Sequence, residues 1–128
     1  LVDFNTVLKY TLFKNLLKET AMDWIISVTT YAKLYKDRKA LIESVIDTLL
    51  SELIAKSSVF TEYSYKQIEV SPMTWEIEIE VDTIGKILFK LSYKDIRDKQ
   101  TDKFPTYLRL PDVLIEVITK SIEESLKP

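Results

Sequence analysis

Apolar side chains recur at helical spacing through the first part of the chain. The pattern predicts an amphipathic helix over residues 3–19, for which Asp3 is the expected N-cap. A second helix is predicted over residues 22–35. The β-branched run of residues 25–30 argues against this second helix, because such residues also favour strands.

The strongest helical pattern covers residues 38–56, with Asp37 as the expected N-cap. This helix is expected to form the centre of the core, because its apolar stripe is broad and its polar residues lie away from that stripe. The stripe consists of Leu41, Ile42, Val45, Ile46, Leu49, Leu50, Leu53 and Ile54.

The period of the pattern then changes to two, which indicates strands that are buried on one face. Strands are predicted over residues 59–70, 75–81 and 86–93, with a turn at Ser71 and Pro72 between the first two. A three-residue loop of residues 83–85 is expected to join the last two, with its glycine at a positive φ. The register that follows sets Val81 opposite Ile87, Ile79 opposite Phe89 and Glu78 opposite Lys90.

Residues 94–103 carry charges of both signs, and we expect them to form an exposed loop. Pro105 and Pro111 bracket a short extended piece, and Pro111 suits the first turn of a last helix over residues 111–126. The predicted fold class is therefore α+β: a mainly helical core, a three-stranded antiparallel β-meander and a C-terminal helix. Neither a repeat nor a Gly/Ser-rich linker occurs, so one domain of residues 1–128 is expected.

Composition excludes several classes of site. The 128 residues include no cysteine, no histidine and one glycine. Thiolate nucleophiles, zinc–sulfur sites, iron–sulfur clusters and Ser-His-Asp or Cys-His centres therefore cannot be built from this chain. Glycine-rich phosphate loops are excluded as well. We expect no catalytic centre and no cofactor in this chain, and the net charge of −2 argues against binding duplex DNA alone.

The most informative stretch for function is the basic one at residues 31–39. It places Lys36, Arg38 and Lys39 where the predicted core helix begins. Free N–H groups, the helix dipole and basic side chains would converge there on one phosphate group. A solvated turn that tolerates its lysines is the alternative interpretation.

Aromatic side chains offer candidate surfaces for stacking on a base. Tyr31 and Tyr35 lie in the basic stretch, and Trp24 precedes it, although helical spacing makes a core position the commoner role for Trp24. Tyr63 and Tyr65 alternate on one predicted strand, where a half-buried sheet face is the commoner explanation.

Three carboxylates share one face of a predicted strand, namely Glu76, Glu78 and Glu80. Carboxylates in such a row can hold magnesium for phosphoryl transfer. A solvated sheet face paired with lysines is the favoured interpretation, because no phosphate-binding element adjoins the row in the sequence.

The order of features over residues 24–53 resembles the C-terminal domain of the large subunit of archaeal and eukaryotic DNA primases. An apolar helix leads into a polar turn, and an arginine opens a long apolar helix. In that family a His-x-x-Arg pattern holds the triphosphate of the initiating nucleotide. Arg38 matches the arginine, Tyr35 stands at the histidine position, and Lys36 and Lys39 keep the turn basic. The family domain carries four cysteines for an iron–sulfur cluster, so this chain is more similar to a cluster-free third subunit of crenarchaeal primases.

The resemblance implies an accessory primase subunit that aids RNA primer synthesis. Arg38, Lys36 and Lys39 would hold the triphosphate, and Tyr31 or Tyr35 would contact base or sugar. The implied partners are the catalytic and large primase subunits, a nucleoside triphosphate and, weakly or indirectly, single-stranded template. Mg²⁺ is expected only at the catalytic subunit. No membrane contact is expected, and the implied setting is the cytoplasm of a thermophilic archaeon.

A second hypothesis comes from a different class of function. The chain would be a small protein–protein interaction adaptor that docks a partner through a helical face or a sheet edge, with no nucleotide site.

Overall fold

The computed structural model describes the backbone of residues 4–101 and 109–128, and the side chains of residues 22–100 and 109–128. The elements are α1 (Phe4–Lys56), β1 (Phe60–Glu69), β2 (Thr74–Val81), β3 (Gly85–Ser92), α2 (Tyr93–Thr101) and α3 (Leu110–Leu126). The α+β class is confirmed, with a three-stranded antiparallel sheet and a C-terminal helix. The predicted cap at Asp3 and the extended piece after Pro105 lie outside the described residues.

Helix α1 is one element of 53 residues, so the prediction of three separate helices is wrong. Residues 4–56 contain neither glycine nor proline, the two residues that most strongly end a helix. The β-branched run of residues 25–30 is accommodated, and its Thr30 hydroxyl donates to the Ile26 carbonyl at 2.8 Å. Asp37 therefore lies within the helix and not at an N-cap.

The chain forms two compact units, one that ends with Arg38 and one that begins with Lys39. In the unit that begins with Lys39, helices cover one face of the sheet. Its core is built from α1, the strands, α2 and α3, and the fully buried large side chains are Trp75, Ile42, Ile46, Leu50, Ile77, Ile79, Leu91, Ile96, Leu114, Val81 and Val113. That the whole chain is a single domain stays a prediction.

The sheet has the order β1-β2-β3, and all three predicted strands are confirmed within a residue or two. The predicted turn at Ser71 and Pro72 is present, with a cis peptide bond between them. Alternation along β2 is strict, so its apolar side chains are buried and its glutamates are half-buried on the opposite face.

The register between β2 and β3 differs from the predicted one by two residues. Val81 pairs with Gly85, and Ile79 pairs with Ile87, so the connecting loop is residues 82–84. Gly85 has the expected positive φ of 120°, and Thr83 also adopts a positive φ of 64°. A shift of two residues leaves every side chain on its predicted face, because the side-chain period of a strand is two.

Residues 94–101 are helical, which corrects the prediction of an exposed charged loop. Helix α2 begins directly after β3, where the Tyr93 amide donates to the Met73 carbonyl at 2.8 Å. One side chain, Ile96, is fully buried, and Lys99 pairs with Glu116 of α3 at 3.1 Å. One buried residue among the eight described side chains of α2 produces no visible apolar period, so only its tertiary contacts define this helix. The last predicted helix is confirmed as α3, with a proline in its first turn.

A polar seam joins α1 to the core face of the sheet; we define it as Glu43, Asp47 and Ser51 of α1 with their partners. These three residues are four apart, so they line one side of the helix. Asp47 accepts hydrogen bonds from the hydroxyls of Tyr63, at 3.0 Å, and Tyr65, at 2.7 Å. Ser51 Oγ lies 3.0 Å from the Tyr63 hydroxyl.

The same seam includes the largest buried side chain. The indole N–H of Trp75 donates to Glu43 at 3.4 Å, so the one polar atom of this ring has a partner. Burial raises the pKa of Tyr65 above its ordinary value, and the hydrogen bond to the Asp47 carboxylate raises it further. The neutral phenol of Tyr65 is therefore the form that the folded protein favours.

Replacing the phenol that makes the shortest seam contact should lower stability. Tyr65→Phe removes the hydroxyl that bonds Asp47, and we expect the free energy of unfolding to fall by about 1–2 kcal/mol, since one hydrogen bond to a charged but solvent-accessible group is lost. Chemical denaturation monitored by circular dichroism measures this change. Tyr31→Phe removes an exposed hydroxyl and serves as the matched control, with an expected change within about 0.5 kcal/mol. Equal stability of the two variants would contradict a stabilising seam.

The raised pKa of Tyr65 also predicts a dependence of stability on pH. A group whose pKa is higher in the folded state stabilises the fold fully below its unfolded pKa of about 10, and that contribution is lost as the pH rises through the folded value. Above pH 10, the free energy of unfolding of the wild type should therefore fall more steeply than that of Tyr65→Phe, by up to about 1.4 kcal/mol per pH unit. If denaturant titrations showed the free energies of unfolding of wild type and Tyr65→Phe falling in parallel above pH 10, the pKa of Tyr65 would not be raised in the folded protein.

Candidate functional site

The feature of α1 that stands out is an exposed apolar segment, which we define as residues 22–34. Seven of these thirteen residues are large apolar side chains that are 43–71% exposed. They are Met22, Trp24, Ile25, Ile26, Val28, Tyr31 and Leu34. Scattered exposed apolar residues are normal, but a continuous run of this kind marks a contact surface.

These side chains are distributed around the helix. Successive helical residues differ by about 100° in direction, so the consecutive residues Trp24, Ile25 and Ile26 point three different ways. A surface helix of an ordinary domain has one apolar face and one polar face, whereas a helix that is apolar on every side belongs to a buried environment. The apolar segment therefore has the composition of a buried helix, although its large apolar side chains are exposed to solvent.

The expected core position of Trp24 is wrong, because this side chain is 56% exposed. Helical spacing showed that Trp24 lies in a helix, but it carried no information on whether anything covers that helix. The signal that sequence reasoning missed is the presence of large apolar residues on all sides of residues 22–34.

The structure places the basic stretch in the middle of α1 and not at a helix start. Lys36 and Arg38 are exposed, Tyr31 is 71% exposed, and Tyr35 is half-buried. Because α1 continues through these residues, their backbone N–H groups belong to the helix's own hydrogen bonds. The predicted combination of a free helix N-terminus with these side chains is therefore wrong, while their role as nucleotide ligands stays a prediction.

Lys39 belongs to the second unit and has a carboxylate nearby. Its ammonium group lies 3.7 Å from Glu43, one helical turn further along α1. This ion pair partly neutralises the charge that was expected to face a phosphate.

Tyr63 and Tyr65 do not form an open stacking surface. Both rings are half-buried on the core face of the sheet, and both hydroxyls donate to Asp47. Their alternation in the sequence thus reports a sheet face packed on α1, which was the commoner of the two interpretations.

The opposite face of the sheet carries the three glutamates. Glu76 lies 3.7 Å from Lys66, and Glu78 lies 3.6 Å from Lys86. A shallow depression of about 260 Å³ on this face is lined by side chains of both charges. Over the described side chains, no group of three or more carboxylates is arranged to hold a metal ion. The geometry fits a solvated face paired with lysines.

A small apolar cleft lies between α1 and α3 within the second unit. Its volume is about 150 Å³, and Leu49, Leu53, Ile115 and Ile122 contribute to its lining. The cleft alone is smaller than the roughly 300–1,000 Å³ typical of pockets for drug-sized ligands, but it shares Leu49, Leu53 and Ile115 with a shallow, open depression of about 430 Å³.

Within the described part of the chain, every helix is too short or too polar to cross a bilayer. Neither a protein-family model, nor a curated protein, nor a solved structure matches this chain.

Proposed function

We propose that this chain is a protein-interaction subunit that works through the apolar segment of α1. The observation that carries this proposal is the exposure of seven large apolar side chains within thirteen residues. It corresponds to the adaptor class of function, with a helical face as the docking element.

The size of the exposed surface supports the proposal. Aromatic side chains bury roughly 150–250 Å² each, so Trp24 and Tyr31 together leave roughly 200–300 Å² open at their exposures of 56% and 71%. The five aliphatic members add roughly 150–300 Å², at about half of what each buries in a core. The total of roughly 350–600 Å² is comparable to the largest apolar patch of a typical monomer, about 300–600 Å², and patches of that size are often functional.

A charge placed inside the apolar segment tests this function. Val28→Asp should release the partners that the full chain retains on native co-purification from its source, because burying an unpaired carboxylate at an apolar contact is unfavourable. Ile84→Asp is the matched control, since Ile84 is equally apolar and 65% exposed but lies in the β2–β3 turn. Retention of every partner by Val28→Asp would contradict the proposal.

The second candidate is the accessory primase subunit, and a separate observation favours it. Arg38 is exposed on α1 two turns after Tyr31 and on the same side of the helix as this largely exposed ring, whereas Lys36 points to nearly the opposite side. A guanidinium is a planar fork of donors that suits phosphate oxygens, and an exposed phenol ring suits a base or a sugar. Under this proposal the side chains act without the help of a helix N-terminus, and the apolar segment docks the other primase subunits.

In this role the chain would hold the initiating nucleoside triphosphate and present it to a catalytic subunit that binds Mg²⁺. Its contribution would be positioning and charge neutralisation. Arg38 would be the principal phosphate ligand, because Lys36 points to nearly the opposite side of the helix.

The primase role predicts a split between initiation and extension. In a reconstituted primase, Arg38→Ala should weaken synthesis of the first dinucleotide by roughly 10- to 150-fold, which is the loss of one charged hydrogen bond. Extension of a preformed primer should be unchanged, because only initiation needs a second nucleotide held outside the catalytic subunit. Lys120→Ala, which removes an exposed positive charge from α3, is the control and should affect neither step. Equal loss of both steps in an assembled Arg38→Ala complex would rule out this role.

A further inference from the structure

We infer that two copies of this chain pair antiparallel through the apolar segments of their α1 helices. The inference rests on the proposed interaction function and names its partner, a second copy of the chain. Three properties of residues 22–38 support it: the spacing of a stripe, the apolar area beside that stripe, and the distribution of charge.

The stripe consists of Trp24, Val28, Tyr31 and Tyr35, which are separated by four, three and four residues. Alternating steps of three and four keep one seam of a helix facing a partner helix, as in a coiled coil. No glycine or proline interrupts α1, so the stripe lies on an unbroken helix.

The apolar area fits a contact between two copies. The stripe and its flanking residues Ile25 and Leu34 expose roughly 300–500 Å² of apolar surface, by the same estimate as above. One partner of a standard interface contributes roughly 800 Å², of which about 65%, or roughly 500 Å², is apolar in homodimers. Met22 and Ile26 lie on the opposite side of the helix and stay outside the pair.

Charge determines the direction of pairing. Arg38 lies beside the stripe at its C-terminal end, and Asp23 lies on the same side of the stripe at its N-terminal end, whereas Lys33 lies on the far side of the helix with Met22 and Ile26. Parallel pairing would bring the two basic ends together. Antiparallel pairing brings each basic end beside the end that carries Asp23, which is the electrostatically favourable arrangement.

The antiparallel arrangement has a definite register. When Val28 of one copy faces Tyr31 of the second copy, Trp24 faces Tyr35, and Arg38 lies on the same side of the seam as Asp23 of the second copy, about 3 Å from its level along the axis. Each layer of the seam then combines a larger side chain with a smaller one or joins two aromatic rings, which suits close packing. The contact is isologous, since the same residues of both copies take part.

The mass of the purified full chain in solution is the first measurement. Sedimentation equilibrium should give twice the 15.0 kDa mass of one chain. Val28→Asp should weaken the dimer by about 100-fold or more, because it puts two unpaired carboxylates into the seam, whereas Ile84→Asp should leave it unchanged. A monomeric wild type, or a dimer that Val28→Asp does not weaken, overturns the inference.

Disulfide trapping tests the direction, and the absence of native cysteines makes each engineered thiol unique. Trp24→Cys and Tyr35→Cys chains should crosslink to each other when mixed, and neither should crosslink to itself. In the antiparallel pair, like positions are about 16 Å apart along the helix axis, well beyond the roughly 7 Å that a disulfide spans between Cα atoms. Self-crosslinking of either variant alone overturns the antiparallel arrangement.

The two proposals fail in distinguishable ways. The wild type could be monomeric when pure while Val28→Asp still loses native partners. That result would contradict the dimer and leave the interaction function in place. Insensitivity to Val28→Asp in both measurements overturns both proposals together.

Discussion

The absence of any helix-breaking residue between Phe4 and Lys56 is the constraint on which the structure of this protein depends. Apart from its first and last turns, the peptide groups of this helix have hydrogen-bond partners along it, and no residue in it forces a turn. The three apolar patterns of the sequence therefore lie on one helix. Among its described residues the buried side chains begin at Ile42, and the large apolar residues of the 22–34 segment are left exposed.

Within the second unit, α1 and the sheet are held together by two kinds of contact. The apolar stripe of Ile42, Ile46 and Leu50 is excluded from water in a core shared with β2 and β3. The polar seam beside it ties Asp47 to both tyrosines of β1 and Glu43 to the indole of Trp75. The apolar contact is non-directional, whereas the hydrogen bonds select one helix position against the strands, because a shift of α1 by one residue would separate these partners.

The candidate sites differ in how well geometry supports them. The glutamate row on β2 and the tyrosine pair on β1 have structural partners that account for them, namely lysines across the sheet and Asp47 of α1. Among the described residues of its unit, no structural partner explains the exposed side chains of the apolar segment. The basic residues that follow it are exposed, but the helix terminus that was expected to reinforce them is absent. A contact surface on α1 is therefore the functional feature that the geometry supports best.

Sequence alone determined those features that depend on local periodicity and on backbone chemistry. Alternation of apolar and charged residues defined the strands and their buried faces, because a strand's side chains point alternately to its two sides. Gly85 marked the hairpin, since a φ of 120° favours a residue without a Cβ, and Pro111 marked the start of α3.

Tertiary structure decided the features that depend on distant partners. The register of β2 against β3 is one of them, because a shift of two residues satisfies the same alternation. Helix α2 is another, since its one buried residue, Ile96, becomes apparent only in the folded core. The exposure of Trp24 is the third: periodicity shows which face of a helix is apolar, but only the arrangement of other elements decides whether that face is covered.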